Sequence, residues 1–389
     1  MMIKRSISDK ALLLSKQFPV LSITGPRQSG KSTLSKALFP DYSYVSLEDE
    51  DMRQFAKDDP RAFLSHFGKH TIIDEAQRVP SIFSYIQGVV DSDNEAGQYI
   101  ISGSQNFLLM EAIDQSLAGR VAILNLLPLS AQELIESGKF PEDIKTWIYT
   151  GGYPRIYDKG INPADYYPSY IQTYLERDVR KTDGVTKLAE FERMLSLCAA
   201  RSAELLNIES LSRDCGVAIN TIKGWLSILE ASFFVHRLQP YYKNLGKRIV
   251  KTPKLYLRDS GLACNLLGIE KPNDLDVFSQ KGSLFEGAVL EEISKIYYAR
   301  GRKPKLYFWR DSAQREIDIL IEQGVNLTWA IEVKSSTTYS PKFFKNLNTI
   351  AQDLGIPINR RIVVYTGEES FETSHGIVCA FKDLGSLGL

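Results

Sequence analysis

The chain has 389 residues, enough for two or three domains at roughly 150 residues each, and its 43% hydrophobic and 24% charged content is that of a globular protein rather than a disordered tail. Its 47 Lys and Arg balance 47 Asp and Glu, which excludes indiscriminate attraction to nucleic acid by net charge. The longest strongly apolar stretch, residues 121–129, contains Asn125 and Pro128 and is far short of the ~20 residues that span a bilayer, so no membrane partner is expected.

The opening segment, MMIKRSISDKALLLSKQFPV, is basic and then apolar, but Lys16 interrupts the run and no small-residue cleavage site follows. A secretory signal is not expected. The four cysteines and four histidines are scattered without CxxC or metal-ligand spacing, so neither a disulfide framework nor a zinc site is implied and a cytoplasmic setting is expected.

The first chemistry lies in residues 20–39. VLSIT reads as a strand, GPRQSGKST follows at once, and LSKALF begins a helix. This is G-x-x-x-x-G-K-[ST] between strand and helix, a phosphate loop. Its residues Gly25, Pro26, Arg27, Gln28, Ser29, Gly30, Lys31, Ser32 and Thr33 would cradle ATP. The glycines turn backbone N–H groups inward, Lys31 reaches the β- and γ-phosphates, and Ser32 offers a hydroxyl to Mg²⁺.

An apolar strand ending in acids should follow, and residues 70–75, HTIIDE, have that form. Asp74 is expected to orient Mg²⁺ and Glu75 to polarise the attacking water. A third strand, QYIISGSQN at residues 98–106, ends in small polar side chains. Ser104 is the candidate for sensing the γ-phosphate, with Ser102 and Asn106 as competitors. Strand and helix alternate through residue 127, which predicts a parallel sheet with helices on both faces and the nucleotide at the carboxyl ends of the strands.

GPRQSGKST, IIDEAQRVP, ISGSQNFLL, SLAGR, LLPLSAQEL, GGYPR and TYLERDV occur in this order, and together they resemble the prokaryotic AAA-type ATPases in which an AAA_14 domain precedes a DUF4143 domain. The resemblance covers essentially the whole chain. It implies an α/β protein with an AAA-type P-loop ATPase at residues 1–150, a helical and winged-helix region at 151–280, and a restriction-endonuclease-like DUF4143 domain at 281–389. It also makes Arg120 and Arg155 candidates for contact with the γ-phosphate, since a guanidinium stabilises charge developing on a transferred phosphoryl group. An Arg120 acting in trans would require a homo-oligomer.

In the middle region, IESLSRDCGVAINTIKGWLSILE reads as helix-turn-helix. The stretch 237–258 after it carries seven basic residues (Arg237, Lys243, Lys247, Arg248, Lys251, Lys254, Arg258), three tyrosines and no acid. As a wing, this stripe together with Asn220 and Lys223 would face DNA; as a packing module, it would not.

Residues 284–299 form an amphipathic helix, followed by the strand-like LYFWR, EIDILIE and LTWAIEVKSS. Glu286 on the helix, Asp318 on one strand, and Glu332 with Lys334 on one face of the next resemble the PD-(D/E)XK nucleases. Asp318, Glu332 and Glu286 would hold a second divalent cation, Mg²⁺ or Mn²⁺, and Lys334 would position or activate water. Two readings therefore stand: an ATPase coupled to a domain that binds or cuts DNA, or an ATP-dependent switch or scaffold whose nuclease-like domain binds a partner and cuts nothing.

Overall fold

The computed structural model describes residues 3–93, 95–104, 116–175, 179, 187–241 and 251–389. They form two compact units: Met1–Leu129 with Ala231–Phe233 and Tyr297–Arg302, and Ser130–Glu230 with Phe234–Ile296 and Lys303–Leu389.

The first unit is built on β1 (Val20–Thr24), β2 (Ser43–Ser46), β3 (Thr71–Asp74), β4 (Tyr99–Gly103) and β5 (Val121–Asn125). They form one sheet in the order β2-β3-β4-β1-β5, and every pairing is parallel. Successive strand residues feed opposite faces. Val20, Ile73, Tyr99 and Ile101 join one apolar cluster with Phe63, Phe83 and Ile86. Leu21, Ile23, Ile72 and Ile100 join another with Leu34 and Leu124. Because helices cover both faces, the central strands β1, β3 and β4 are buried throughout rather than alternating, and all their carboxyl ends lie on the same edge as the phosphate loop.

The second unit contains β6 (Glu204–Leu205), β7 (Val235–Pro240), β8 (Lys254–Leu257), β9 (Leu306–Arg310), β10 (Glu316–Gln323), β11 (Asn326–Lys334), β12 (Arg361–Tyr365), β13 (Phe371–Thr373) and β14 (Gly376–Ala380). Their order is β13-β14-β12-β11-β10-β9-β7-β8-β6. The helix Ile208–Cys215 ends on Gly216 at φ 69°, and the helix Ile219–Ala231 follows after a short turn. Ile222, Trp225, Leu226 and Leu229 are buried, while Asn220 and Lys223 are exposed.

The first and longest stretch of the first unit runs to Leu129, and the chain enters the second unit at Ser130. The backbone N–H of Ala131 donates to the buried Glu292 carboxylate at 2.7 Å, Tyr149 donates to the Glu270 carbonyl at 2.6 Å, and Trp147 packs on Phe381 with ring centroids 4.7 Å apart. These contacts hold residues 131–150 in the second unit. The boundary near 280 is bridged by a sheet: β7 pairs in parallel with β9, Gln239 opposite Tyr307 and Pro240 opposite Phe308, and Tyr241 enters the core of Trp309, Ile317 and Leu320.

The basic stripe is not one surface either. Lys254 is buried, Arg237 pairs with Glu230, and Arg258 donates to the buried Glu291 at 2.9 Å. Cations on a strand point alternately to its two faces, and the buried acids of the neighbouring helices recruit the inward ones. Lys251 is exposed, and Lys243, Lys247 and Arg248 lie outside the described residues.

Candidate functional sites: a phosphate loop and a buried carboxylate cluster

The phosphate loop leaves β1 at Gly25, whose φ of 152° suits glycine. A Cβ there would stand 2.1 Å from the Leu126 carbonyl oxygen, because the chain after β5 is drawn close by the 2.7 Å hydrogen bond from Leu126 N–H to Thr24. Gly30, at φ 95°, caps the helix Lys31–Leu38. Lys31 is buried and donates to the carbonyls of Gly25 and Pro26 at 3.0 and 2.8 Å. The loop has a second support that sequence reasoning missed: buried Arg5 donates to the carbonyls of Ser29 at 2.8 Å and Leu127 at 2.5 Å. Nothing in the local pattern around Arg5 announces that contact, which spans 122 residues.

The acids arrive on β3. Asp74 accepts from Ser32 Oγ at 2.6 Å, from Tyr44 Oη at 2.8 Å and from Ser102 Oγ. The hydroxyl–carboxylate pair at a helix N-terminus is the donor set that suits Mg²⁺ beside phosphates. Glu75 follows at φ 54°, and its carboxylate accepts from Gln77 Nε2 at 2.7 Å and Ser104 Oγ at 3.3 Å. Ser104 thus sits with Glu75 and its competitor Ser102 with Asp74; Asn106 lies outside the described residues. Tyr44 and Gln77 are further members that the sequence reading did not pick out. Burial, reinforced by Asp74, holds the Tyr44 phenol well above its ordinary pKa.

Arg120 is placed elsewhere. Its carbonyl accepts from Val20 N–H at 3.2 Å, level with the start of β1, whereas the phosphate loop follows the end of that strand. At about 3.3 Å per residue the two ends of that strand are roughly 16 Å apart. Its guanidinium pairs with Asp91 at the surface.

In the second unit, β10 and β11 run antiparallel with Ile319 opposite Ile331, which brings Asp318 and Glu332 to neighbouring positions on the two strands. The Asp318 carboxylate accepts from Val333 N–H at 2.8 Å, and Lys334 Nζ contacts Glu332 at 2.5 Å. Glu286 comes from the helix Lys281–Ala299 and accepts from Tyr256 Oη at 2.5 Å and Lys254 Nζ at 2.9 Å. The four residues expected from the sequence are therefore brought together. Two more, Glu316 and Lys254, complete the cluster. Glu316 pairs with Lys254 and with Arg310, the latter at 3.3 Å. Sequence reasoning passed over Glu316, two residues before Asp318 on the same strand face, and assigned Lys254 to the wing.

Carboxylate oxygens of Glu286, Glu316 and Asp318 lie within 4.8 Å of one another. Burial and the Asp318 charge push the Glu332 carboxyl up to about 8 and the Glu286 carboxyl up to about 7, although Lys334 and Lys254 pull in the other direction. Burial works against the Lys334 ammonium, but Glu332 and Asp318 outweigh it and raise its pKa. One oxygen, Glu332 Oε2, is buried without a hydrogen-bond partner among the described residues. An orphaned carboxylate oxygen in a crowded acid cluster is the environment a divalent cation relieves, so the residues present fit such an ion.

Five parallel strands with the loop Gly25–Thr33 and the Asp74–Glu75 pair at their carboxyl edge define an ATPase-like P-loop domain of the AAA type. The family models agree: an AAA domain (AAA_14) matches residues 17–135, a domain of unknown function (DUF8612) residues 141–273, and a domain of unknown function (DUF4143) residues 281–384. Uncharacterized protein Rv2008c of Mycobacterium tuberculosis is 31% identical over 370 residues, covering 94% of this chain and 80% of the relative, and uncharacterized protein Mb2031c of Mycobacterium bovis matches to the same extent. The chain belongs to this family of AAA-type P-loop ATPases. Among solved structures, the Walker-type ATPase PabY2304 of Pyrococcus abyssi is 15% identical, with 68% of this chain and 96% of that chain covered and a TM-score of 0.47. The RuvB Holliday junction branch migration motor of Thermotoga maritima is 19% identical, with 60% and 90% covered and a TM-score of 0.32.

Proposed function

We propose that the chain binds and hydrolyses ATP with Mg²⁺, and that the cycle acts on a DNA-interacting second unit that carries a PD-(D/E)XK-like site. The observation that supports the ATPase reading best is the pairing of Ser32 with Asp74 at 2.6 Å beside a Glu75 held by Gln77 and Ser104. Lys31, freed from its two loop carbonyls by a γ-phosphate, would neutralise phosphate charge. Glu75 would orient the attacking water and accept its proton, with Ser104 fixing the carboxylate. Ser32 and Asp74 would hold Mg²⁺, which draws charge from the phosphates when bound.

Because Arg120 lies at the far edge of its own sheet, it would reach the nucleotide of a second copy only, so the reading includes a homo-oligomer. Helix-turn-helix followed by β7 and β8 is a winged-helix order, and exposed Asn220, Lys223 and Lys251 are the contacts offered to DNA phosphate. Arg155 belongs to the same reading as a γ-phosphate candidate.

In the second unit Asp318, Glu332 and Glu286 would hold the second divalent cation, which supplies Lewis-acid stabilisation of a phosphodiester when bound, and Lys334 would position water. The second reading, a switch or scaffold without cleavage, is favoured by one observation: the carboxylate cluster is already paired with Lys254, Lys334 and Arg310. Incubation of purified protein with ATP and linear, branched and single-stranded DNA, with and without Mg²⁺ or Mn²⁺, separates them. Cleavage lost in both Glu332→Ala and Lys334→Ala supports the nuclease. ATP turnover with no cleavage of any substrate supports the scaffold.

A further inference from the structure

Lys254 stands on β8, in the part of the chain that precedes the 281–384 family match, yet its side chain is only 3% exposed and its Nζ lies 2.9 Å from a Glu286 oxygen and in contact with a Glu316 oxygen. Those two residues, with Asp318, are the ones whose oxygens converge within 4.8 Å. Asp318 adds to the attraction on the ammonium. Burying an ammonium is costly unless carboxylates compensate it, and here it touches two of the three acids that could hold an ion. Glu332, 8% exposed, keeps Oε2 buried and without a hydrogen-bond partner among the described residues, so among those residues the cluster retains one open acceptor.

We infer that Lys254 is a built-in counter-ion that competes with a divalent cation for the Glu286–Glu316–Asp318 cluster and so sets the metal affinity of the site. This rests on the proposal that the cluster binds a divalent cation. A divalent ion and an ammonium cannot both take the same oxygens at full strength: the ion needs six or more oxygen ligands, and a second positive charge at contact distance repels it. Neutralising Lys254 should therefore release ligands and remove repulsion together. Glu316 is the acid that holds Lys254 from the strand side, with Arg310 behind it.

The test titrates Mn²⁺ into the full chain without nucleotide, following free Mn²⁺ by electron paramagnetic resonance. An Asp74→Asn background silences the nucleotide-site cation in every sample, and circular dichroism checks the fold. Lys254→Met should bind Mn²⁺ about tenfold or more tightly than the Lys254 parent, and adding Asp318→Asn should abolish the gain. Lys254→Gln removes the same charge, keeps a donor for Glu286, leaves all three acids in place and should also bind more tightly, which keeps the test decisive if Lys254→Met does not fold. Equal Mn²⁺ affinity with and without Lys254, with binding still lost on Asp318→Asn, overturns the counter-ion role and leaves the metal reading standing. No Mn²⁺ bound by any variant overturns both.

Discussion

The two acid sites of this chain are built in opposite ways. Asp74 is oriented by three hydroxyls and Glu75 by an amide and a hydroxyl. These neutral donors fix the carboxylates in place while leaving their charge in force for a metal or a proton. In the second unit Asp318 accepts from a backbone N–H and Glu286 from the Tyr256 hydroxyl, but Glu286, Glu316 and Glu332 are also met by ammonium or guanidinium groups. A site held by dipoles is poised for a charged ligand; a site held by counter-ions must exchange one of them to accept a cation.

The largest expected effects lie in the first site. Lys31→Ala should remove ATP turnover, and Glu75→Gln should lower it by roughly 10²- to 10⁴-fold while a fluorescent ATP analogue still binds. Normal phosphate release from Glu75→Gln would break the contrast, because a merely surface acid needs no such support. Next comes the loop's own scaffold. Arg5→Met removes two buried hydrogen bonds from a charged donor to carbonyls, each of about 1.5–3 kcal/mol, and should lower both the melting temperature and nucleotide affinity. An unchanged denaturant midpoint would show that the loop holds itself.

The second site predicts a pH dependence. Glu286 and Glu332 titrate above the ordinary glutamate value of 4.5, so the folded chain binds more protons than the unfolded chain between about pH 4.5 and 8. The stability these carboxyls contribute is complete at acid pH and is lost as pH rises through that window, by about 1 kcal/mol or more in metal-free protein. Thermal melts in EDTA from pH 5 to 9 should show it, and Glu332→Gln should flatten the profile. A profile unaffected by that substitution would assign the slope to other groups. The smallest effect on stability is expected at Arg120, whose pair with Asp91 is exposed: Arg120→Ala should leave the melting temperature unchanged. Mixing it with Lys31→Ala should nevertheless restore part of the turnover, since each variant would supply what the other lacks; no recovery would remove the trans role.

The first site was legible because its chemistry is local. Glycine, lysine and serine at fixed spacing between a strand and a helix describe a phosphate loop whatever surrounds it, and Asp74 and Glu75 follow from an apolar strand ending in acids. Tyr44, Gln77 and Arg5 were not legible, since each reaches the loop or its acids through strand order and chain crossing. In the second unit the acids on period-two strands could be paired by eye, but Glu316 and Lys254 could not be joined to them. Their partnership depends on β7 and β9 joining β8 to β10 in one sheet, where residues 62 apart in sequence come into contact.

The sequence by itself determined the neutral net charge, the phosphate loop, the acids Asp74 and Glu75 at the end of an apolar strand, and the four residues Glu286, Asp318, Glu332 and Lys334. Tertiary structure decided what the charges do. Seven cations in an acid-free stretch read either as a wing facing DNA or as part of a packing module, because a sequence shows only which charges are neighbours along the chain. Folding buried one of the seven in a carboxylate cluster and paired two others, because the cost of leaving buried acids uncompensated is larger than any preference of a linear stripe for solvent.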